Sequence, residues 1–247
     1  MLLEGKNAVI YGGGGSIGGA VAKAFAREGA RVYLAGRTKA TLDAVADEIR
    51  AAGGQAETAE VDALDEASVD AHADAIPGID ISFNVIGLND VQGTPLAEMA
   101  LADFMAPIET AVRSQFLTAR AAARQMIPRG GGMILWFGGE GDPIRDYSIG
   151  GLQIAFHAVE AMRRQLATEL GRHGIRTVTL RTGGVPESIP EGFDGRDRIT
   201  EMLERATLLG RTATLEDVGN VAAFVACDQA RTMTAATVNV SAGALLD

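Results

Sequence analysis

The chain carries a single cysteine, Cys227, so it can form no internal disulfide, which fits a reducing compartment. Lysine is almost as scarce: Lys6, Lys23 and Lys39 are the only three, and none follows Lys39. The other cations are arginines, which stay charged and do not readily serve as acids or bases. No apolar run approaches the ~18 residues that span a bilayer. The opening Met1-Leu2-Leu3-Glu4-Gly5-Lys6 has no cationic segment followed by a long apolar one. No membrane span or secretion signal is therefore expected, and a cytoplasmic location is. Positive charge is also lacking. The net charge is −10 with no basic run, so a nucleic-acid backbone would be repelled and no nucleic-acid partner is expected. No His/Cys cluster has metal-ligand spacing, and no Ser/His/Asp pattern suggests a nucleophilic hydrolase, so no metal site is expected. Linkers and low-complexity tracts are absent too. The 247 residues read as one domain, 1–247, near the upper size for a single core.

Glycine is abundant, and its densest run organises the chain. Ala8-Val9-Ile10-Tyr11 is a short apolar strand, Gly12 to Gly15 a glycine turn, and Ser16 onward an apolar helix. Four glycines in a row place no Cβ between backbone and ligand. A helix starting at Ser16 aims its free amides and positive dipole end at whatever lies above the turn. A pyrophosphate suits that place, as in the first βα unit of a dinucleotide-binding fold. An ordinary glycine-rich turn is the plainer reading.

Strand and helix then alternate to the end. Strands are expected at Asn7–Tyr11, Arg31–Ala35, Gln55–Val61, Ile79–Ile86, Met133–Phe137, Ile175–Leu180 and Ala236–Val240. Helices are expected at Ile17–Glu28, Ala40–Ala52 with Thr38 as N-cap, Asp65–Ala75, Leu96–Ile127, Gly150–Arg172, 197–209 and 215–227. Pro107 should kink or divide the fourth of these. Such alternation gives an α/β, doubly wound, three-layer Rossmann-type fold: a seven-stranded, mainly parallel sheet with helices on both faces. Ligand should sit beyond the carboxyl ends of the strands.

This order resembles the short-chain dehydrogenase/reductase family along almost the whole chain. Tyr11-Gly12-x-x-x-Ser16-Ile17-Gly18 is similar to the family's Thr-Gly-x-x-x-Gly-x-Gly, and the Ser-Ile pair is similar to its enoyl-thioester reductase branch. Asn84-Val85-Ile86-Gly87 resembles its Asn-Asn-Ala-Gly segment. Gly210-Arg211 to Asp217-Val218 and Val238-Asn239-Val240-x-Ala242-Gly243 resemble its C-terminal segments. The resemblance implies a dinucleotide site of Gly12, Gly14, Gly15, Ser16, Ile17 and Gly18. Asp62 and Ala63 would lie near the adenine and Asn84, Ile86 and Gly87 along the ribose. Gly183 and Val185 would meet the nicotinamide, and residues 183–209 would cover the substrate. Charge argues for the coenzyme's identity. An acid at the end of the second strand would bind the ribose hydroxyls of NAD, but Gly36 stands there and Arg37 follows. A guanidinium can grip a 2′-phosphate, so NADP (NADPH) is expected over NAD, unless Arg37 is only a solvated surface residue. Asp62 has a plain alternative as a capping or loop aspartate. A homo-oligomer, dimer or tetramer, is also implied, the long alanine-rich helices packing between subunits.

The resemblance fails at the proton-handling residues. Aligned without gaps, the family's asparagine falls on Ala111, its serine on Gly139, its tyrosine on Leu152 and its lysine on Phe156. No realignment restores the lysine. A tyrosine without a nearby cation titrates near its ordinary value of ~10 and shuttles protons poorly at neutral pH. Leu152 and Phe156, one helical turn apart, would make the pocket floor apolar. Three substitutes are candidates: Tyr147, with Arg145 two residues before it; His157; and Glu140, with Asp142 as its alternative. Each also has a structural or solvated reading. The expected function is an NADP(H)-binding oxidoreductase acting on a small apolar carbonyl or enoyl substrate through a non-standard proton source. The alternatives are a catalytically inactive sensor or partner subunit of the same fold, and a non-redox enzyme reusing the pocket.

Overall fold

The computed structural model describes residues 1–138, 147–193 and 195–246. Seven strands form one sheet: β1 (Asn7–Tyr11), β2 (Arg31–Gly36), β3 (Gln55–Glu60), β4 (Ile81–Asn84), β5 (Gly132–Phe137), β6 (Ile175–Arg181) and β7 (Ala236–Asn239). Their spatial order is β3-β2-β1-β4-β5-β6-β7, and every neighbouring pair is parallel. The order reverses direction between β1 and β4, where open α/β sheets leave a crevice for ligand.

Helices α1 (Ser16–Arg27), α2 (Lys39–Ala51), α3 (Glu66–Ala75), α4 (Leu101–Arg129), α5 (Leu152–Leu170), α6 (Arg196–Arg205) and α7 (Leu215–Ala226) connect the strands. Two apolar clusters result, one on each face of the sheet. Ile10, Leu34, Phe83, Leu135 and Val178 meet α1, α2 and α7 on one face. Val9, Tyr11, Ile134 and Trp136 meet α3, α4 and α5 on the other. Alternation sends successive side chains of β1, β2 and β5 to opposite clusters, which is why these strands read as apolar runs, while β3 (Gln-Ala-Glu-Thr-Ala-Glu), at the sheet edge, is largely polar.

Four expectations differ from the fold. β4 is shorter than Ile79–Ile86. The Asn84 side-chain oxygen takes the amide of Ile86 at 3.2 Å, which turns the backbone out of the ladder. α4 begins at Leu101 rather than Leu96 and is not divided by Pro107. That proline sits in the second turn, so the hydrogen bond it cannot donate is the one to Asp103 in the first turn. α6 ends at Arg205, short of 209, because the amides of Leu208 and Leu209 bond instead to the Ala242 carbonyl. Thr38 occupies the N-cap of α2, but its hydroxyl makes no capping bond.

The C-terminal third is pinned by one guanidinium. Arg176 of β6 donates through Nη1 to the carbonyls of Val225, Ala230 and Met233 and through Nη2 to those of Ala226 and Cys227, at 2.9–3.1 Å. It thereby satisfies the orphan carbonyls at the end of α7, where a cation also meets the negative end of the helix dipole. Replacing Arg176 by Met would leave several partly buried carbonyls without donors. We expect a loss of about 2–3 kcal/mol in denaturant unfolding, with Arg176→Lys recovering only part of it.

Candidate nucleotide site

A cavity of about 330 Å³ opens at the carboxyl ends of β1, β2 and β4. The glycine turn forms one wall. Gly12 adopts φ +80°, and a Cβ there would lie 2.7 Å from the Val85 carbonyl oxygen. Gly18 is held still closer, since a Cβ on it would strike the Gly12 carbonyl. The first turn of α1 therefore packs directly on the end of β1, and no side chain can intervene. Its N-cap is Gly15, with no side-chain capping bond and no acid in the first turn. The first intrahelical bond runs from the Gly19 amide to the Gly15 carbonyl, and the amides of Ser16, Ile17 and Gly18 have no partner among the described residues. This is a place for an anion.

The opposite wall comes from β2 and β3. Arg37 and Thr38 follow β2 at the rim, where a second helix, α2, begins without side-chain cap or acid. Arg37 is exposed and makes no ion pair among the described residues. Beyond β3, Asp62 accepts the Leu64 amide at 2.9 Å through one carboxylate oxygen, and its own amide donates to the Ser68 hydroxyl at 3.2 Å. Asp62 thus shapes an Asx-type turn in the cavity lining. Ala63, Ile86 and Gly87 complete the residues named from the sequence that line it.

Other named residues lie elsewhere. Ser16, Ile17 and Gly18 contribute backbone at the turn but do not line the cavity. Asn84 is buried, and its side chain faces α4. It donates to the Thr118 hydroxyl at 3.1 Å, while its carbonyl takes the Gln115 amide at 3.0 Å. It ties β4 to α4 rather than reaching into the cavity. Val185 packs into the core. Gly183 backs onto Ala244, where a Cβ would come within 2.6 Å. Neither lines the cavity. Tyr147 is 45% exposed on a loop, and His157 is exposed on α5 within 3.2 Å of Gln153. Glu140, Gly139, Asp142 and Arg145 lie outside the described residues. The residues at the other three proton-handling positions take up apolar roles. Ala111 is buried in α4, and Leu152 and Phe156 lie half-buried on α5. The Phe156 ring covers Gly138, 2.5 Å from where a Cβ would stand. Among the described residues, no group of His, Cys, Asp or Glu could hold a metal ion, and no helix is long and apolar enough to cross a membrane.

Several lining residues were not anticipated: Tyr11, Thr38, Thr41, Leu64, Asn89 and Thr110. Thr110 precedes Ala111 by one residue, so a helix projection would have turned it toward β4. Gly14 carries the signal for Thr41, because a Cβ on Gly14 would strike the Thr41 hydroxyl. Tyr11 stands where the resemblance would put threonine. Its ring meets His72 of α3 edge-on, with centroids 6.2 Å apart. Burial pushes the Tyr11 hydroxyl far above the usual phenol range, and the nearby Asp70 charge adds to this. Burial lowers the His72 pKa from its ordinary 6.5.

The pH consequence follows from linkage. A half-buried histidine with a lowered pKa binds fewer protons folded than unfolded, so folding stability is lost as pH falls below about 6.5. Thermal unfolding between pH 7 and pH 5.5 should show the melting temperature falling, and His72→Phe should flatten that part of the profile.

Comparison with known proteins follows the same outline. The profile of the family described as Enoyl-(Acyl carrier protein) reductase matches residues 13–244. An uncharacterized oxidoreductase YxbG of Bacillus subtilis is 31% identical over 98% of this chain and 91% of its own. Gluconate 5-dehydrogenase of Gluconobacter oxydans is also 31% identical, over 90% of this chain and 88% of its own. Among solved structures, a short-chain type dehydrogenase/reductase from Mycobacterium marinum superposes with a TM-score of 0.85 at 28% identity, covering 98% of this chain and 96% of that one. A family model and relatives that match nearly the whole chain, together with a shared fold and a glycine turn built on backbone contact, place this chain in the short-chain dehydrogenase/reductase family of oxidoreductases.

Proposed function

We propose that this chain is an NADP(H)-dependent oxidoreductase that reduces a small apolar carbonyl or enoyl substrate, with a proton source other than the family's tyrosine. The observation that carries the coenzyme choice is Arg37. It stands at the cavity rim after Gly36, has no ionic partner among the described residues, and lies beside the open start of α2. A fixed positive charge beside unsatisfied amides suits a phosphate monoester on the adenosine ribose. The glycine cradle fits a coenzyme diphosphate: the free amides of Ser16, Ile17 and Gly18 would hold it. The second Asp62 oxygen would take the adenine edge, with Ala63 beside it, and Ile86 and Gly87 would flank the ribose. When bound, the nicotinamide supplies or accepts hydride.

The chain's own residues decide the rest. Leu152 and Phe156 keep the floor of the reacting end apolar and dry, so an acyl, aromatic or similar group fits better than a polyol. In an enoyl substrate the acceptor's carbonyl carries the developing charge, which lowers the demand for a strong acid. Tyr147, nearly half exposed, and His157 both stand where solvent can reload a proton. Residues 183–209 would cover the substrate. They include α6, which buries none of its own residues and holds Leu203 against Gly184. Exposed Phe116 on α4 and Ile154 on α5 support a homo-oligomer, dimer or tetramer, packed through those helices. A second reading, coenzyme binding without turnover, is favoured by the loss of polar groups at Ala111, Leu152 and Phe156.

Two measurements separate these readings. NADPH consumption with a panel of ketones and enoyl thioesters should show turnover on an apolar member, with Tyr147→Phe reducing it. Tight NADPH binding with no turnover on any member would favour the second reading. In calorimetry, wild-type protein should bind NADPH at least about tenfold more tightly than NADH, and Arg37→Glu should reverse the order, since one lost charge-assisted contact is worth that much. Equal affinities in both proteins would remove the case for NADP.

A further inference from the structure

Five threonines lie inside the α-helices among the described residues, and four of them bond back along the chain. Thr118 donates to the Ser114 carbonyl at 2.8 Å, Thr168 to that of Arg164 at 3.1 Å, Thr200 to that of Arg196 at 2.9 Å and Thr41 to that of Thr38 at 2.9 Å. A helical threonine ordinarily makes this bond. Thr110 is the exception. Its hydroxyl has no hydrogen bond among the described residues, although the residue is only 8% exposed. Nor is that oxygen sealed in: the enclosed polar atoms without partners include Tyr11 Oη and Trp136 Nε1, and not Thr110 Oγ1. What Thr110 faces is the nucleotide cavity, whose lining it joins.

Its place along α4 says which part of the cavity it meets. Two turns on, the Thr118 hydroxyl accepts from the Asn84 side chain at 3.1 Å, and between them Gln115 donates to the Asn84 carbonyl at 3.0 Å. Asn84 ends β4, so Thr110 stands past the strand, toward Ile86 and Gly87. Farther down α4, Arg120 pairs with Glu66 at the start of α3. Ten residues of helix, about 15 Å, separate Arg120 from Thr110. Thr110 therefore sits above the α3 start, toward the loop of Asp62, Ala63 and Leu64 that lines the same cavity.

We propose that Thr110 holds the adenine of the coenzyme, its hydroxyl hydrogen-bonding the polar edge of the base. The inference rests on the coenzyme reading above and adds a side chain that the resemblance left without a role. A hydroxyl both donates and accepts, so it suits an edge on which an amino group and ring nitrogens stand side by side. The polar group that the helix leaves unused is thus kept for the ligand.

The test is calorimetry on the full chain with NADPH and with adenosine 2′,5′-bisphosphate, which lacks the nicotinamide and its ribose. Thr110→Val keeps the shape and removes the hydroxyl. It should weaken both ligands alike, by roughly three- to tenfold, as expected for one lost neutral hydrogen bond. The melting temperature of the free protein should stay the same or rise, because no internal bond is lost and an unpartnered polar atom leaves the interior. Thr110→Ser should keep both affinities within about twofold. Affinities in Thr110→Val within about twofold of wild type, or weakening of one ligand only, would overturn the assignment while leaving the coenzyme reading intact. A Thr110→Val protein that melts lower or does not fold overturns it as well, since the hydroxyl would then serve the fold. Failure of wild-type protein to bind either ligand overturns the coenzyme reading and this inference with it.

Discussion

The close approach of α1 to the end of β1 is the constraint on which the rest depends. Gly18 lies against the Gly12 carbonyl, and Gly12 turns with a positive φ against the Val85 and Ile86 backbone. No side chain fits at either contact, so the helix start is fixed by main chain alone. That contact sets the start of α1, with its open amides, beside the cavity wall formed by Gly12, Gly14 and Gly15. It also sets the distance between α1 and β4, and hence the width of the crevice where the strand order reverses.

Charge is distributed unevenly around this frame. The rim after β2 has a cation at Arg37, and the two helix starts beside the cavity have no side-chain cap and no acid in their first turns. Elsewhere cations are consumed by structure. Lys6 pairs with Asp228, Lys23 with Glu48 and Lys39 with Asp43. Arg163 is buried against Glu160. Burial alone would push that carboxyl up, but the Arg163 guanidinium and the Thr179 hydroxyl more than offset it and pull it below its ordinary value. The helix to which the resemblance assigns the proton-handling pair carries a buried ion pair one turn below the Phe156 ring.

Much of this was legible in the sequence. Short apolar runs such as β1, β2 and β5, alternating with helical periodicity, point to a parallel sheet covered on both faces. The glycine turn is legible because glycines at Gly12 and Gly18 answer a steric demand that no other residue meets. The site was legible where backbone makes it and less so where side chains choose a direction. Asn84 was expected along the ribose, but its side-chain amide donates to the buried Thr118 hydroxyl and its main-chain carbonyl accepts from the Gln115 amide, which ties it to α4. β4 was read too long for the same reason, since a side-chain acceptor ended the ladder where hydropathy continued. Thr38 and Thr41 were invisible as cavity residues because position on a helix start, not residue type, turns them inward. The order β3-β2-β1-β4 brings Thr110 and Asn89 beside Gly12 from some eighty to a hundred positions away, a long-range pairing that local pattern does not encode.

α7 packs across α1, with Gly219 so close that a Cβ would sit 3.0 Å from the Ala20 carbonyl and the Ala24 methyl. The final helix therefore seals the first. During synthesis, every described residue lining the nucleotide cavity leaves the ribosome by position 110, yet the apolar back of α1 stays uncovered until residues 215–226 emerge. A half-made chain would therefore expose the apolar back of α1, a surface prone to non-native contacts until the final helix arrives.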